Sequence, residues 1–251
     1  MKIKFGVKIW SVNTNTLDQA EELLAKDIFQ YIELMAIPGT EIEPFKRIRA
    51  KYIVHAIHEG FDFNAGDANK EEMNLSIFRE AMRWKKELKA KYLIVHLGYG
   101  KFSSTKSFLA KIKGKGVLIE NMPRIGEIGK EMIGSSPEEI KELKMGKKFG
   151  FCLDFGHAIK SAIFLKKDYK EYVERFLEFK PQVIHITDGS LAERDEHLSI
   201  GQGQYDFNFL AECIKANNGG YVTLETAREN LNSLEEDSEN LKKIKNYLSL
   251  K

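Results

Sequence analysis

Eight short apolar, β-branched runs recur along this chain, and an amphipathic stretch follows each. The runs are IKFGVKI (3–9), FQYIELMA (29–36), KYIVHA (51–56), KYLIVHLG (91–98), KGVLIEN (115–121), FGFCLD (149–154), PQVIHITD (181–188) and GYVTLET (220–226). Strands that alternate with helical patterns predict βα units and a parallel α/β sheet. Eight such units in 251 residues fit one (β/α)8 barrel spanning residues 1–251. A doubly wound open sheet is the rival, but it rarely needs eight units in so short a chain. Among the helical stretches, Leu75, Phe78, Met82, Lys85 and Leu88 share one flank. Thr16 and Ser136 read as N-caps, the latter before Pro137, and Leu241, Ile244, Tyr247 and Leu248 share a face of the last helix. No linker or low-complexity block divides the chain.

An apolar content of 43% is enough for a large core. The formal charge of +2 gives no bulk attraction to nucleic acid or acidic membranes. Two cysteines, Cys152 and Cys213, make no disulfide framework and fit a reducing compartment. The segment MKIKFGVKIW is too short and too interrupted by lysine for a signal peptide. No apolar run approaches the ~18 residues of a membrane span. The expectation is a cytoplasmic enzyme without a membrane partner.

In a barrel of this kind chemistry sits at the carboxyl ends of the strands. There His55 ends the third run, His96 the fourth, Glu120 the fifth and Asp154 the sixth; His185 lies in the seventh and Glu225 ends the eighth. His157 follows Asp154 by three residues, and Asp195 and His197 lie in the loop after the seventh run. A single histidine beside a strand is ordinarily a satisfied core residue. Five of the chain's six histidines beside four carboxylates need another account. Crowded carboxylates repel unless cations intervene, and imidazole with carboxylate is the ligand set of Zn²⁺ or Mn²⁺. More than one ion is expected.

These residues, in this order, resemble the xylose-isomerase-like TIM barrel superfamily (AP endonuclease family 2), and within it endonuclease IV. The likeness covers essentially the whole chain. Each of His55, His96, Glu120, Asp154, His157, His185, Asp195, His197 and Glu225 matches a ligand of that family's trinuclear zinc centre. The segment HITDGSLAERDEHLSIGQG keeps the family's His…Asp-x-His…Ile-Gly-x-Gly order. The resemblance implies that Glu120 bridges two ions, one also held by His55 and His96, the other by Asp154, His185 and Glu225. It gives the third to His157, Asp195 and His197. It also implies hydrolysis of phosphodiesters in abasic-site DNA, a DNA-repair activity, with Glu120, Glu225 and Asp154 at the catalytic centre.

The surroundings depart from that pattern. His58 stands where the family has tyrosine, Leu97 where it has proline, and Asp-Phe-Gly-His where it has Asp-Thr-Cys-His. ENMPRIGEIG replaces a Gly-rich segment, and YIEL with Glu33 resembles the superfamily's sugar isomerases and epimerases. In that alternative a sugar or sugar phosphate is the substrate, one ion sits on Glu120, Asp154, His185 and Glu225, and Glu120 and Glu225 move a proton. His55, His96, Asp195 and His197 are then left without a task. A non-catalytic structural metal is disfavoured, because structural zinc prefers cysteine. Lys101, Lys106, Lys111, Lys113 and Lys115 either meet phosphates or form a solvated helix flank. Asp-Phe-Gly and GQGQ lack the companions of a kinase or a phosphate loop.

Overall fold

All eight runs form parallel strands that pair in chain order and close, the eighth against the first. The computed structural model describes residues 3–250 except 127, 147 and 148, so Glu127, in the segment after Asn121, lies outside the described residues. The strands are β1 (Ile3–Trp10), β2 (Tyr31–Ala36), β3 (Tyr52–Ala56), β4 (Leu93–Val95), β5 (Val117–Glu120), β6 (Gly150–Asp154), β7 (Val183–Ile186) and β8 (Gly220–Leu224). The helices are α1 (Leu17–Ala25), α2 (Glu43–Arg47), α3 (Glu71–Glu87), α4 (Phe102–Lys111), α5 (Pro137–Lys144), α6 (Phe155–Phe164), α7 (Tyr169–Leu177), α8 (Phe207–Ala216) and α9 (Glu235–Tyr247). The sixth connection carries two of them, α6 and α7. Most strands are shorter than their apolar runs; β4 covers three residues of an eight-residue run, because the chain leaves the ladder once His96 has been delivered.

Strand side chains alternate between the two faces of a sheet, and that alternation builds both core and site. Outward positions such as Val7, Leu34, Val54, Val95, Ile119, Leu153, Ile186 and Val222 are buried under the helices. Inward, Tyr31, Ile53, Ile94, Leu118, Cys152 and Val183 form a separate apolar floor. Two residues further along the same strands come Glu33, His55, His96, Glu120, Asp154 and His185. Each apolar floor position therefore carries a polar one directly above it. Gly6 makes the floor feasible: a Cβ there would lie 2.2 Å from the Tyr31 ring. Fully burying a Leu, Ile or Phe contributes about 1.5–3 kcal/mol, so the floor is stable enough to hold ionisable groups above it.

Three local expectations are corrected. Thr16 does not cap α1 with its side chain; its hydroxyl donates to the Asn13 carbonyl (2.9 Å) in a 3-10 turn. The buried stripe of α3 is Asn74, Phe78, Ala81 and Trp84, one position away from Leu75, Met82 and Lys85. Tyr247 is 39% exposed, although Leu241, Ile244 and Leu248 are buried. Ser136 does cap α5, accepting from the Glu139 N–H (3.2 Å), a bond typically worth about 1 kcal/mol.

Candidate metal centre

The nine polar residues singled out above meet at the carboxyl ends of the strands, in three linked groups. His55, His96 and Glu120 form one; Glu120, Asp154, His185 and Glu225 the second; His157, Asp195 and His197 the third. Within each group the ligand atoms lie within 4.8 Å of one another. Glu120 joins the first two: its Oε2 faces His55 Nε2 (3.1 Å) and His96 Nε2 (3.4 Å), and its Oε1 faces His185 Nδ1 (3.1 Å). His157 joins the third, standing 3.6 Å from Glu120 and 3.4 Å from Asp195.

Every one of the five histidines has one ring nitrogen committed behind the centre and the other directed into it. The Nδ1 atoms of His55, His157 and His197 lie 2.7, 2.9 and 2.8 Å from the carbonyls of Ala56, Asn121 and Glu225. His96 Nδ1 is 3.3 Å from Glu59. His185, deepest in its strand, is reversed: Nε2 meets Glu33 Oε2 (3.0 Å) and Nδ1 faces Glu120 and Glu225, each at 3.1 Å. A back-side acceptor fixes tautomer and ring orientation, the usual surrounding of a ligating histidine.

The residues present fit divalent ions on a second observation. Asp154 is fully buried; its Oδ1 accepts the His157 N–H (2.7 Å), while Oδ2 faces His185 Nδ1 at 3.9 Å and has no hydrogen-bond partner among the described residues. A buried carboxylate oxygen without a partner is costly, and a cation offsets that cost. The donor set, imidazole nitrogen and carboxylate oxygen without thiolate in the second and third groups, suits Zn²⁺ or Mn²⁺.

The local fold explains how these side chains are held. Asn121 clamps β5 to β6: its side chain donates to Asp154 O (2.9 Å) and accepts from Asp154 N (2.8 Å), while its own carbonyl holds His157. The loop bearing Asp195 and His197 folds around Asp188. That carboxylate accepts from the backbone N–H groups of Gly189 (2.8 Å), Gly201 (2.8 Å), Gly203 (2.9 Å) and Tyr205 (3.3 Å). This accounts for the Ile-Gly-x-Gly pattern, since Gly201 has φ +86° and a Cβ on Gly203 would lie 2.4 Å from Asp188. Lys160, buried in α6, holds the same loop through the carbonyls of Ser190 (2.8 Å) and Ala192 (3.1 Å) and through Glu196 (3.2 Å).

Electrostatics follow the geometry. Burial works against charge on His96, but Glu120 and Glu59 raise it to about 9. Burial likewise opposes charge on His157, which Asp154 and Asp195 bring to about 10. His185 is raised well above the usual histidine range against burial, by Cys152, Glu33 and Glu120. Burial and Lys8 lower His55 to about 4. Burial favours neutral Glu33 and Glu59, yet His185 with Lys8, and His96, bring each to about 2.

Sequence reasoning missed Lys8, Glu59, Asn121 and Lys160. Lys8 occupies an inward position of β1, pairing with Glu225 and standing 3.5 Å from Glu33; the Gly6–Lys8 alternation was the available signal. His58 also reaches the mouth, with its ring 5.6 Å from that of His96. The cavity above the centre is about 530 Å³ and is walled by Trp10, Val12 and Leu231 as well as by ligands. None of the lysines of 101–115 lines the cavity above the centre. Lys106 and Lys111 pair with Glu142 and Glu71 on the barrel's flank, and Lys113 and Lys115 lead into β5 at the opposite end.

A closed parallel barrel with an imidazole–carboxylate array at the carboxyl ends of its strands has the architecture of metal-site TIM barrels. The chain belongs to the xylose isomerase-like TIM barrel family, whose model matches residues 23–247. It is 26% identical to an uncharacterized protein of Methanocaldococcus jannaschii, over 97% of this chain and 99% of that one. Among solved structures, a D-tagatose 3-epimerase-like protein superposes with a TM-score of 0.78 at 23% identity, covering 98% of this chain and 97% of the other. Endonuclease IV from Thermus thermophilus superposes with a TM-score of 0.72 at 20% identity, covering 98% and 99%. At these identities the two likenesses establish the fold alone. No helix among the described residues is long and apolar enough to cross a membrane.

Proposed function

We propose that this chain is a divalent-metal-dependent phosphodiester hydrolase with a three-ion centre, and that abasic-site DNA is its leading substrate. The third ligand group carries the reading: His157, Asp195 and His197 converge apart from Glu225 and His185, and a one-ion isomerase, in which His157 would touch substrate, has no need of Asp195 and His197. The nine-residue match to the endonuclease IV ligand pattern supports the same choice. Held by these residues, closely spaced Zn²⁺ or Mn²⁺ would supply Lewis acidity toward a phosphodiester and the water that attacks it. The protein's own groups set the geometry. Glu120 presents one oxygen to each side of the array, Asp154 and Glu225 flank His185, and the back-side acceptors keep the five imidazoles aimed inward. Lys8 holds Glu225 in place and adds positive charge to the wall an anionic substrate meets.

The test is cleavage of an abasic-site duplex with zinc or manganese supplied, alongside a count of ions per chain. Cleavage with three ions supports the proposal; one ion and no cleavage ends it. A sugar or sugar-phosphate isomerase or epimerase is the second reading, favoured by the cavity. Its Trp10, Val12 and Leu231 wall encloses a volume suited to a small molecule, and Glu120 and Glu225 approach the same imidazole of His185 from two strands, as a pair of proton-transfer groups must. Interconversion of a ketose by the one-ion protein would establish it.

A further inference from the structure

The face opposite the metal centre carries a concentration of positive charge that the proposed reaction does not use. Three consecutive helix-to-strand connections enter β3, β4 and β5, and each bears two cations: Arg49 and Lys51 in IRAK, Lys89 and Lys91 in LKAKY, Lys113 and Lys115 in IKGKG. All six are exposed, the three connections contain no acidic residue, and none of the six makes an ion pair among the described residues. Because the chain's formal charge is +2, the rest of it carries a net −4.

Helix ends account for only part of this. Cations favour the last turn of a helix, where the dipole is negative, and the effect fades within that turn. Arg49, Lys89 and Lys113 stand two residues beyond α2, α3 and α4, and Lys51, Lys91 and Lys115 stand four residues beyond them. Lys91 rests 4.7 Å over the Tyr221 ring, which fixes it at the barrel rim.

We infer that this arc binds the phosphate backbone of a nucleic acid, without reading its sequence. Neighbouring strands lie ~4.8 Å apart, so three adjacent connections present their cations as a row on the scale of successive phosphates. Membrane binding through such a patch requires apolar residues to insert, and no exposed large hydrophobic residue lies in these three connections. A strand held here runs across the closed end of the barrel, away from the metal centre. The arc therefore tethers and does not present a bond for cleavage, and the inference stands independently of the proposed hydrolysis.

The test uses the metal-loaded full chain and labelled intact oligonucleotides without abasic sites, followed by anisotropy over a range of salt. The wild type should bind at low salt and lose affinity linearly in log–log form, with a slope of about −0.9 per phosphate neutralised on duplex and about −0.7 on single strands. A fourfold K51Q/K91Q/K113Q/K115Q variant should lose roughly tenfold or more in affinity and flatten the slope by about one per lysine. The charge reversal K51E/K91E/K113E/K115E should lose more, with circular dichroism melting showing both variants folded. Absence of wild-type binding at low salt, or an unchanged slope in the folded Gln variant, overturns the inference. Co-sedimentation with phosphatidylserine vesicles without oligonucleotide binding overturns it in favour of a membrane.

Discussion

The two sides of the ligand array are built on different supports. Glu120, Asp154 and His185 sit on β5, β6 and β7, locked by ladder hydrogen bonds and by the apolar floor beneath them. Asp195 and His197 sit in a loop whose order depends on Asp188, Lys160 and two glycines. On the strand-borne side two of the three imidazoles are backed by carboxylates, Glu59 behind His96 and Glu33 behind His185, and His55 by the Ala56 carbonyl; on the loop-borne side both are backed by neutral carbonyls. A carboxylate partner makes an imidazole the stronger donor. The strand side should therefore hold its ions more tightly, and the loop side should be first to empty.

The severest way to break this comparison is Glu120→Gln, which removes the one carboxylate both strand-side groups share. The expected outcome is a folded protein with turnover reduced by a factor on the order of a thousand or more and at least one ion fewer per chain by elemental analysis. Full turnover would count against either chemistry. Next in size, His197→Ala should cost the loop-side ion alone and abolish abasic-duplex cleavage. A proton-transfer activity on a ketose, if that is the true reaction, should persist in part. An unchanged metal content would dissolve the distinction between the two sides.

Glu59→Gln sharpens the comparison, because the amide still accepts a hydrogen bond but carries no charge. Metal affinity on the strand side should fall by roughly 10- to 100-fold, measured by competition with a chelating dye, and the affinity of the loop side should fall less. The smallest effect concerns pH and the metal-free protein. His96 and His157 have raised folded values, so their stabilisation is complete below about 6.5 and is lost as pH climbs through about 9 and 10, and His185 is raised in the same direction. Glu33 and Glu59 have depressed values, and their stabilisation is present above about 4.3 and lost as pH falls toward about 2. Melting temperature without metal should peak between these limits. Zinc should reverse the alkaline limb, because ligation needs neutral imidazole.

The barrel was legible in the sequence because its signal is repeated eight times: apolar runs bounded by turns and separated by helical spacing. Its details were less so where a polar residue occupies a core position. Asn74 takes the buried face of α3 because it exchanges hydrogen bonds with the Asn64 backbone (2.7 and 3.0 Å), which hydrophobic periodicity cannot register. Strand-end residues such as Glu120 and Asp154 could be read as neighbours, since a barrel brings all its strand ends together. Glu59 and Lys160 could not. Glu59 reaches His96 only because a 3-10 turn folds the chain back, and Lys160 lies on a mostly apolar helix, where its burial gives no periodic signal.

The position of Asn121 bears on how the protein fills. One residue stitches Asp154 to β5 and, through its carbonyl, steadies His157 on the loop side. Ordering either side thus prepays part of the conformational entropy of the other. Titrated with substoichiometric zinc, the strand side should fill first, and its filling should tighten the loop side. At limiting metal, activity would then track the fraction of complete centres in direct proportion, and dilution of the ion supply would silence whole molecules without weakening each of them.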